Sequence, residues 1–183
     1  MTITEFATIV FKSPLNFSDP TLQSLFQKLS VWQSECSGFP LRFFTNPNDP
    51  VEVHLVTGWA SVAVHEAWIQ GERNQTLLRI FAPYVDMPKI RMVHVGVDFE
   101  AIPKDTGCTA MVIERYDGAP STSLEWESSD GSMLLWSLAG RDLSRDGDVY
   151  RFVGIAGDGE VEGVVEGVAP IARWLLNRAE PCA

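Results

Sequence analysis

The sequence predicts an α+β fold, with a ferredoxin-like βαββαβ half over residues 1–101 and a degenerate second half over 107–183 that is β-rich and ends in a helix. Three observations predict it. Residues 4–12 and 90–99 alternate with a period of two, as half-buried strands do. Leu22, Leu25, Phe26, Leu29 and Trp32 recur at helical spacing between them. After residue 101 the helical period gives way to short apolar runs separated by Gly and Asp.

Each element has a local cause. Ser13-Pro14 ends the first strand, and Asp19 is placed to cap a helix that has Pro20 at its first position and is stopped by Gly38-Phe39-Pro40. Leu41–Thr45 and Val51–Thr57 flank Asn46-Pro47-Asn48-Asp49-Pro50, so they read as a hairpin. Ser61 can cap a second helix carrying Val64, Trp68, Leu77, Leu78, Phe81 and Tyr84, with Gly71 marking a break. In the second half, strands are expected at 108–116, 122–127, 133–139 and 149–156, and a helix at 169–178. One open four-stranded sheet leaves a face uncovered. The second half therefore either packs as the partner sheet of an internal pseudo-dimer or lengthens the first sheet.

Charge narrows the function. Fourteen Lys and Arg against 24 Asp and Glu give a net charge of −10, and the pI is about 4.7. A chain of this sign repels phosphate backbones and anionic lipid, so neither a nucleic acid nor a membrane is expected as partner. The first residues carry no basic and apolar signal-peptide pattern, and no apolar run reaches the length of a membrane span, which predicts a cytoplasmic protein. Cys36, Cys108 and Cys182 have neither disulfide nor zinc spacing.

The run from Thr57 to Ile69, TGWASVAVHEAWI, resembles the strand-to-helix signature of the dimeric α+β barrel superfamily, and more narrowly fungal proteins related to antibiotic-biosynthesis monooxygenases. In that pattern a Trp ends the third strand, a Ser caps the next helix, and that helix carries a histidine or aromatic; Trp59 and Ser61 match. Ala63 and Trp68 stand where many relatives carry an acidic residue and the helix histidine, which here is His65. The resemblance implies two sheets facing each other in a barrel, a pocket between sheet and helices, and a homodimer.

The only three histidines, His54, His65 and His94, are the natural candidates for proton transfer near neutral pH. His65 lies one turn before Trp68 on a helix that must bury an apolar stripe, which makes it the candidate general base. The strands carrying His54 and His94 flank the first strand in a ferredoxin-like sheet, so the two could bracket a substrate from roughly 10 Å apart if they face the same side. Trp32, Phe44, Trp68 and Tyr84 are the candidate walls for a small hydrophobic aromatic ligand. The histidine spacing fits no metal motif, and Gly154–Gly159 matches no phosphate loop, so neither metal nor cofactor is expected.

These residues and the resemblance together point to a cofactor-independent tailoring enzyme of secondary metabolism. It would act on a polycyclic aromatic or polyketide-like substrate by histidine-mediated proton abstraction, leading to oxygenation, isomerisation, cyclisation or decarboxylation. The alternative is a non-catalytic ligand-binding or dimerisation module of the same fold.

Overall fold

Strand β1 (Ile3–Val10) divides the molecule, because its alternate residues serve two different cores. In this computed structural model, which describes residues 1–103, 108–118, 133–145, 147–156, 171–179 and 181, Ile3 and Ala7 face three helices. Phe6 faces the interior of a curled sheet.

The helical layer follows from local signals. Helix α1 (Pro20–Ser37) begins where Asp19 Oδ1 accepts hydrogen bonds from the backbone N–H groups of Thr21 and Leu22, at 2.9 and 3.3 Å. It ends at Gly38, whose φ of 79° is the left-handed turn that glycine adopts without strain. Helix α2 (Val62–Gln70) is capped by Ser61, and Gly71 separates it from α3 (Glu72–Phe81), as the sequence predicts. Leu22, Phe26 and Leu29 of α1, Trp68 of α2, and Leu77 and Phe81 of α3 then close over Ala7, Val53, Leu55 and Trp59 of the sheet. Burial of each such side chain contributes about 1.5–3 kcal/mol.

Among the described residues the sheet has eight antiparallel strands in the order β4-β1-β3-β2-β8-β5-β7-β6. The remaining strands are β2 (Arg42–Asn46), β3 (Asp49–Trp59), β4 (Arg91–Val95), β5 (Ala110–Asp117), β6 (Met133–Arg141), β7 (Asp148–Ala156) and β8 (Ala172–Ala179). The two ends of this sheet meet. Val95 bridges Asp142, Gly96 N–H donates to the Arg141 carbonyl at 2.8 Å, and Leu143 N–H donates to the His94 carbonyl at 2.7 Å. One chain thus supplies the whole near-barrel. A Cβ at Gly140 would stand 2.6 Å from the Gly96 carbonyl, so the close approach along this seam requires glycine.

One predicted element is corrected. Residues 172–179 form strand β8 rather than the C-terminal helix, pairing with β2 on one side and β5 on the other. Its spacing of apolar residues suits either period, and the unsatisfied edges of β2 and β5 decide between them. Trp174 and Leu176 point to the barrel core, while Leu175 packs outside with Val112 and Val153. The strand expected at 122–127 and Cys182 lie outside the described residues. No helix among the described residues is long and apolar enough to cross a membrane.

Candidate functional site

The site grows from one misplaced charge. Alternation puts Glu5 on the helix-facing side of β1, between Ile3 and Ala7, where an apolar side chain would be expected. The register sets Thr57 of β3 on one side of Glu5 and His94 of β4 on the other. Helix α2 brings His65 down onto the same patch, and the stripe of α1 ends there in a polar residue, Gln33, one turn after Leu29. Thr57 is buried and donates to the Pro40 carbonyl, and Glu5, Gln33, His65 and His94 are buried beside it.

Their hydrogen bonds converge on one carboxylate oxygen. Glu5 Oε2 accepts from Trp59 Nε1–H at 2.6 Å and from Gln33 Nε2–H at 3.2 Å, and His65 Nε2 lies 3.5 Å away. His65 Nδ1 is 2.7 Å from His94 Nε2, and the Trp59 indole stacks on the His65 imidazole with centroids 4.3 Å apart. Among the described residues Glu5 Oε1 accepts no hydrogen bond, and Glu5 lines a cavity.

That cavity, about 360 Å³, lies between the helices and strands β1, β3 and β4. Its walls are largely apolar: Leu29, Leu55, Trp68, Ile69, Leu77 and Phe81 among them. Glu5, Gln33, His65 and Asn74 are its polar groups. A mostly apolar hollow of this size with a few convergent polar groups is the usual form of a small-molecule site.

Burial determines the protonation states. Desolvation lifts the Glu5 carboxyl from 4.5 to about 7, against the opposing hydrogen bonds from Trp59 and Gln33. Desolvation pushes His65 down to about 3, helped by the neighbouring His94, and lowers His94 as well. Near pH 7 both histidines are therefore neutral, and Glu5 is poised between its two forms. A carboxylate that titrates near neutrality is well matched to general acid–base work, whereas an imidazole with a pKa near 3 is a weak base.

The structure brings His65 and His94 together and separates His54 from both. The strands of His54 and His94 do flank β1, but His54 pairs with Thr8 and His94 with Glu5. Three residues is an odd step, so the two histidines point to opposite faces of the sheet. His54 is fully buried against Phe6, its Nδ1 3.0 Å from Thr8 Oγ1 and its Nε2 3.4 Å from Glu52 Oε2. Desolvation takes it to about 4, so it is neutral and makes no ion pair with Glu52.

Of the four predicted ligand walls, Trp68 lines the cavity. Phe44 is in the barrel core instead, because the register pairs it with His54. Trp32 is half-buried, with Lys28 and Arg73 over its ring at 5.3 and 5.7 Å, and Tyr84 packs against the edge of the helix-side core. Glu5, Gln33 and Trp59 were not anticipated. Two of them carried a signal: Glu5 interrupts the apolar series Ile3, Ala7, Ile9, and Gln33 continues the series Leu22, Phe26, Leu29. Among the described residues no group of three His, Cys, Asp or Glu side chains could hold a metal ion.

No family model matches the sequence, and no curated protein matches it. Its likeness to solved structures is nevertheless clear. A protein of Fusobacterium nucleatum, provisionally named a monooxygenase, superposes with a TM-score of 0.62 at 10% identity, covering 97% of this chain and 92% of that one. One of Lactobacillus acidophilus with the same provisional name gives 0.59 at 7% identity, over 97% and 93%. A protein provisionally named a chlorite dismutase gives 0.61 at 8% identity, over 98% and 96%. At such identities the likeness is one of fold, and in fold this chain is similar to monooxygenase-like and chlorite dismutase-like α+β proteins over nearly its whole length.

Proposed function

We propose that this protein is a tailoring enzyme that removes a proton from a weakly acidic C–H or O–H of a polycyclic aromatic or polyketide-like substrate held in the helix-side cavity. The observation that carries this reading is a single carboxylate, Glu5, tuned to neutrality and facing an apolar hollow, with its other oxygen fixed by Trp59 and Gln33. A module that used this face only for association would have no need to bury that carboxylate at such a cost.

The proton passes from substrate to Glu5 Oε1, and the electron pair stays on the substrate as an enolate or phenolate. His65 is the direct neighbour of the base, and His94 positions His65 through their hydrogen bond. Trp68 and the aliphatic walls hold the rings and exclude water, which strengthens the electrostatics inside. Return of the proton to another atom gives isomerisation or cyclisation. Addition of dioxygen to the carbanion, with the substrate as reductant, gives a hydroperoxide once the proton returns from Glu5. In this reading the chain needs no cofactor for the proton step. The expected homodimer becomes an association of two complete eight-stranded units rather than of two halves.

Deuterium exchange tests it. A polycyclic ketone with an acidic methylene, such as anthrone, is incubated with the protein in deuterated buffer and followed by NMR. Exchange is expected to accelerate over buffer and to fall about 10²-fold or more in Glu5→Gln, within the range for loss of a general base. Equal exchange with the wild type and the variant would remove the proposal for this class of carbon acid.

A further inference from the structure

The barrel interior holds a second cavity, of about 410 Å³, at the end where β1 finishes and β3 and β4 begin. It lies on the face of the sheet opposite Glu5, lined from β1 by Phe6, Thr8 and Val10 rather than by Glu5, Ala7 and Ile9. Its floor is aromatic, with the Phe6 ring 5.4 Å from Trp174 and 6.5 Å from Tyr150. Its walls are cationic. Four of the fourteen Lys and Arg residues, Lys89, Arg91, Arg115 and Arg145, meet here in a chain of net charge −10.

The four are not equivalent. Lys89 Nζ is 3.0 Å from Asp86 Oδ2, and Arg91 Nη1 donates to the carbonyls of Pro88 and Ile90. Arg115 donates to the Tyr150 hydroxyl, but its Nε is buried and has no hydrogen-bond partner among the described residues. A buried guanidinium N–H without an acceptor is costly, and an oxyanion in the cavity that this guanidinium lines would offset part of that cost through the group's other N–H donors, with a charge-assisted hydrogen bond. Two carboxylates, Glu52 and Asp142, line the same space. They oppose a compact, multiply charged anion such as phosphate and favour a singly charged group attached to an apolar body.

We propose that this cavity is a binding site for an aromatic carboxylate, its ring on Phe6, Tyr150 and Trp174 and its carboxylate on the guanidinium of Arg115, with Arg145 adding charge at the rim. The site is separate from the proton-abstraction site and does not depend on that reading.

Calorimetric titration of the full chain with benzoate tests it, with benzyl alcohol as neutral isostere and inorganic phosphate as a bare anion. Benzoate is expected to saturate one site, to bind about 10-fold or more tighter than benzyl alcohol, and to resist displacement by equimolar phosphate. Arg115→Gln is expected to weaken benzoate about 10-fold with an unchanged circular dichroism spectrum. Should that variant fail to fold, the exposed Arg145→Gln is expected to weaken benzoate about 2- to 5-fold. Glu5→Gln is expected to bind benzoate like the wild type. No saturable benzoate binding, equal affinity for benzyl alcohol, or unchanged affinity in the folded arginine variants would overturn the site. Displacement by equimolar phosphate would overturn the aromatic carboxylate as its ligand.

Discussion

His65 Nδ1 and His94 Nε2 stand 2.7 Å apart, so one of these two ring nitrogens must carry a proton and the other must accept it. With His65 Nε2 turned toward Glu5 Oε2 at 3.5 Å, the tautomer that serves a charged Glu5 has His65 donating to the carboxylate and accepting from His94. The histidine pair therefore follows the state of Glu5. His94→Gln is expected to lower proton exchange about 10-fold, less than Glu5→Gln, and to shift the midpoint of the pH–rate profile. A merely structural role would lower stability and leave that midpoint unmoved.

Trp59 adjusts the base. Its indole N–H donates to Glu5 Oε2 at 2.6 Å and favours the charged form. Trp59→Phe removes the donor, so Glu5 is expected to titrate above its wild-type midpoint and the rise of rate with pH to move to higher pH. An unchanged pH–rate profile in a folded variant would show that the bond does not tune the base.

Stability carries the same signature. Glu5 titrates near 4.5 when unfolded and near 7 when folded, so the folded state holds this proton more tightly. Its contribution is full below about pH 4.5 and is lost as pH rises through 7, by up to ~3 kcal/mol. His65 and His54 shift the other way, to about 3 and 4, and their contribution is lost as pH falls below 6.5. Denaturant titrations from pH 4 to 9 are expected to show Glu5→Gln gaining stability relative to wild type as pH rises. A pH-independent difference would contradict the buried, shifted carboxyl.

His54 is expected to be dispensable for the proton step. It lies on the opposite face of the sheet, bonded to Thr8 and stacked on Phe6. His54→Gln is expected to keep the wild-type exchange rate while losing about 1–3 kcal/mol in urea unfolding, as when a buried polar contact is disturbed. A loss of exchange as large as that of Glu5→Gln would join the two faces functionally.

The seam between β4 and β6 depends on Gly140. An added methyl would meet the Gly96 carbonyl at 2.6 Å, and backbone cannot move aside as a side chain can. Gly140→Ala is expected to cost about 1–3 kcal/mol, a fall of several degrees in Tm for a chain of this length. An unchanged Tm would show that the seam yields.

The first half was largely legible in the sequence because its signals are local. Asp19-Pro20, Gly38, Ser61 and Gly71 punctuate the helices where caps and breaks must fall, and each is used as expected. The C-terminal strand was not legible, since Ala172 to Ala179 becomes a strand only because β2 and β5, distant in sequence, offer it two edges. The site was half legible. His65 and its helix followed from amphipathic spacing, but the parity that sends His54 and His94 to opposite faces depends on register with β1, which periodicity within a single strand cannot supply. Glu5 was visible as a charge on an apolar face. What lifts its carboxyl toward neutrality, rather than leaving it a solvated charge, is burial under the helix layer above it, a tertiary fact.

The titration of Glu5 itself is the most direct test. With the glutamate side-chain carboxyl carbons labelled with ¹³C, the Glu5 signal is assigned by its loss in Glu5→Gln and followed from pH 3 to 9. A midpoint near 7 is expected, moving when His65 is replaced by Ala. A midpoint near 4.5 would mean that the carboxylate is solvated and that no poised base faces the cavity, and a midpoint near 7 indifferent to His65 would mean that the histidine pair does not follow its state.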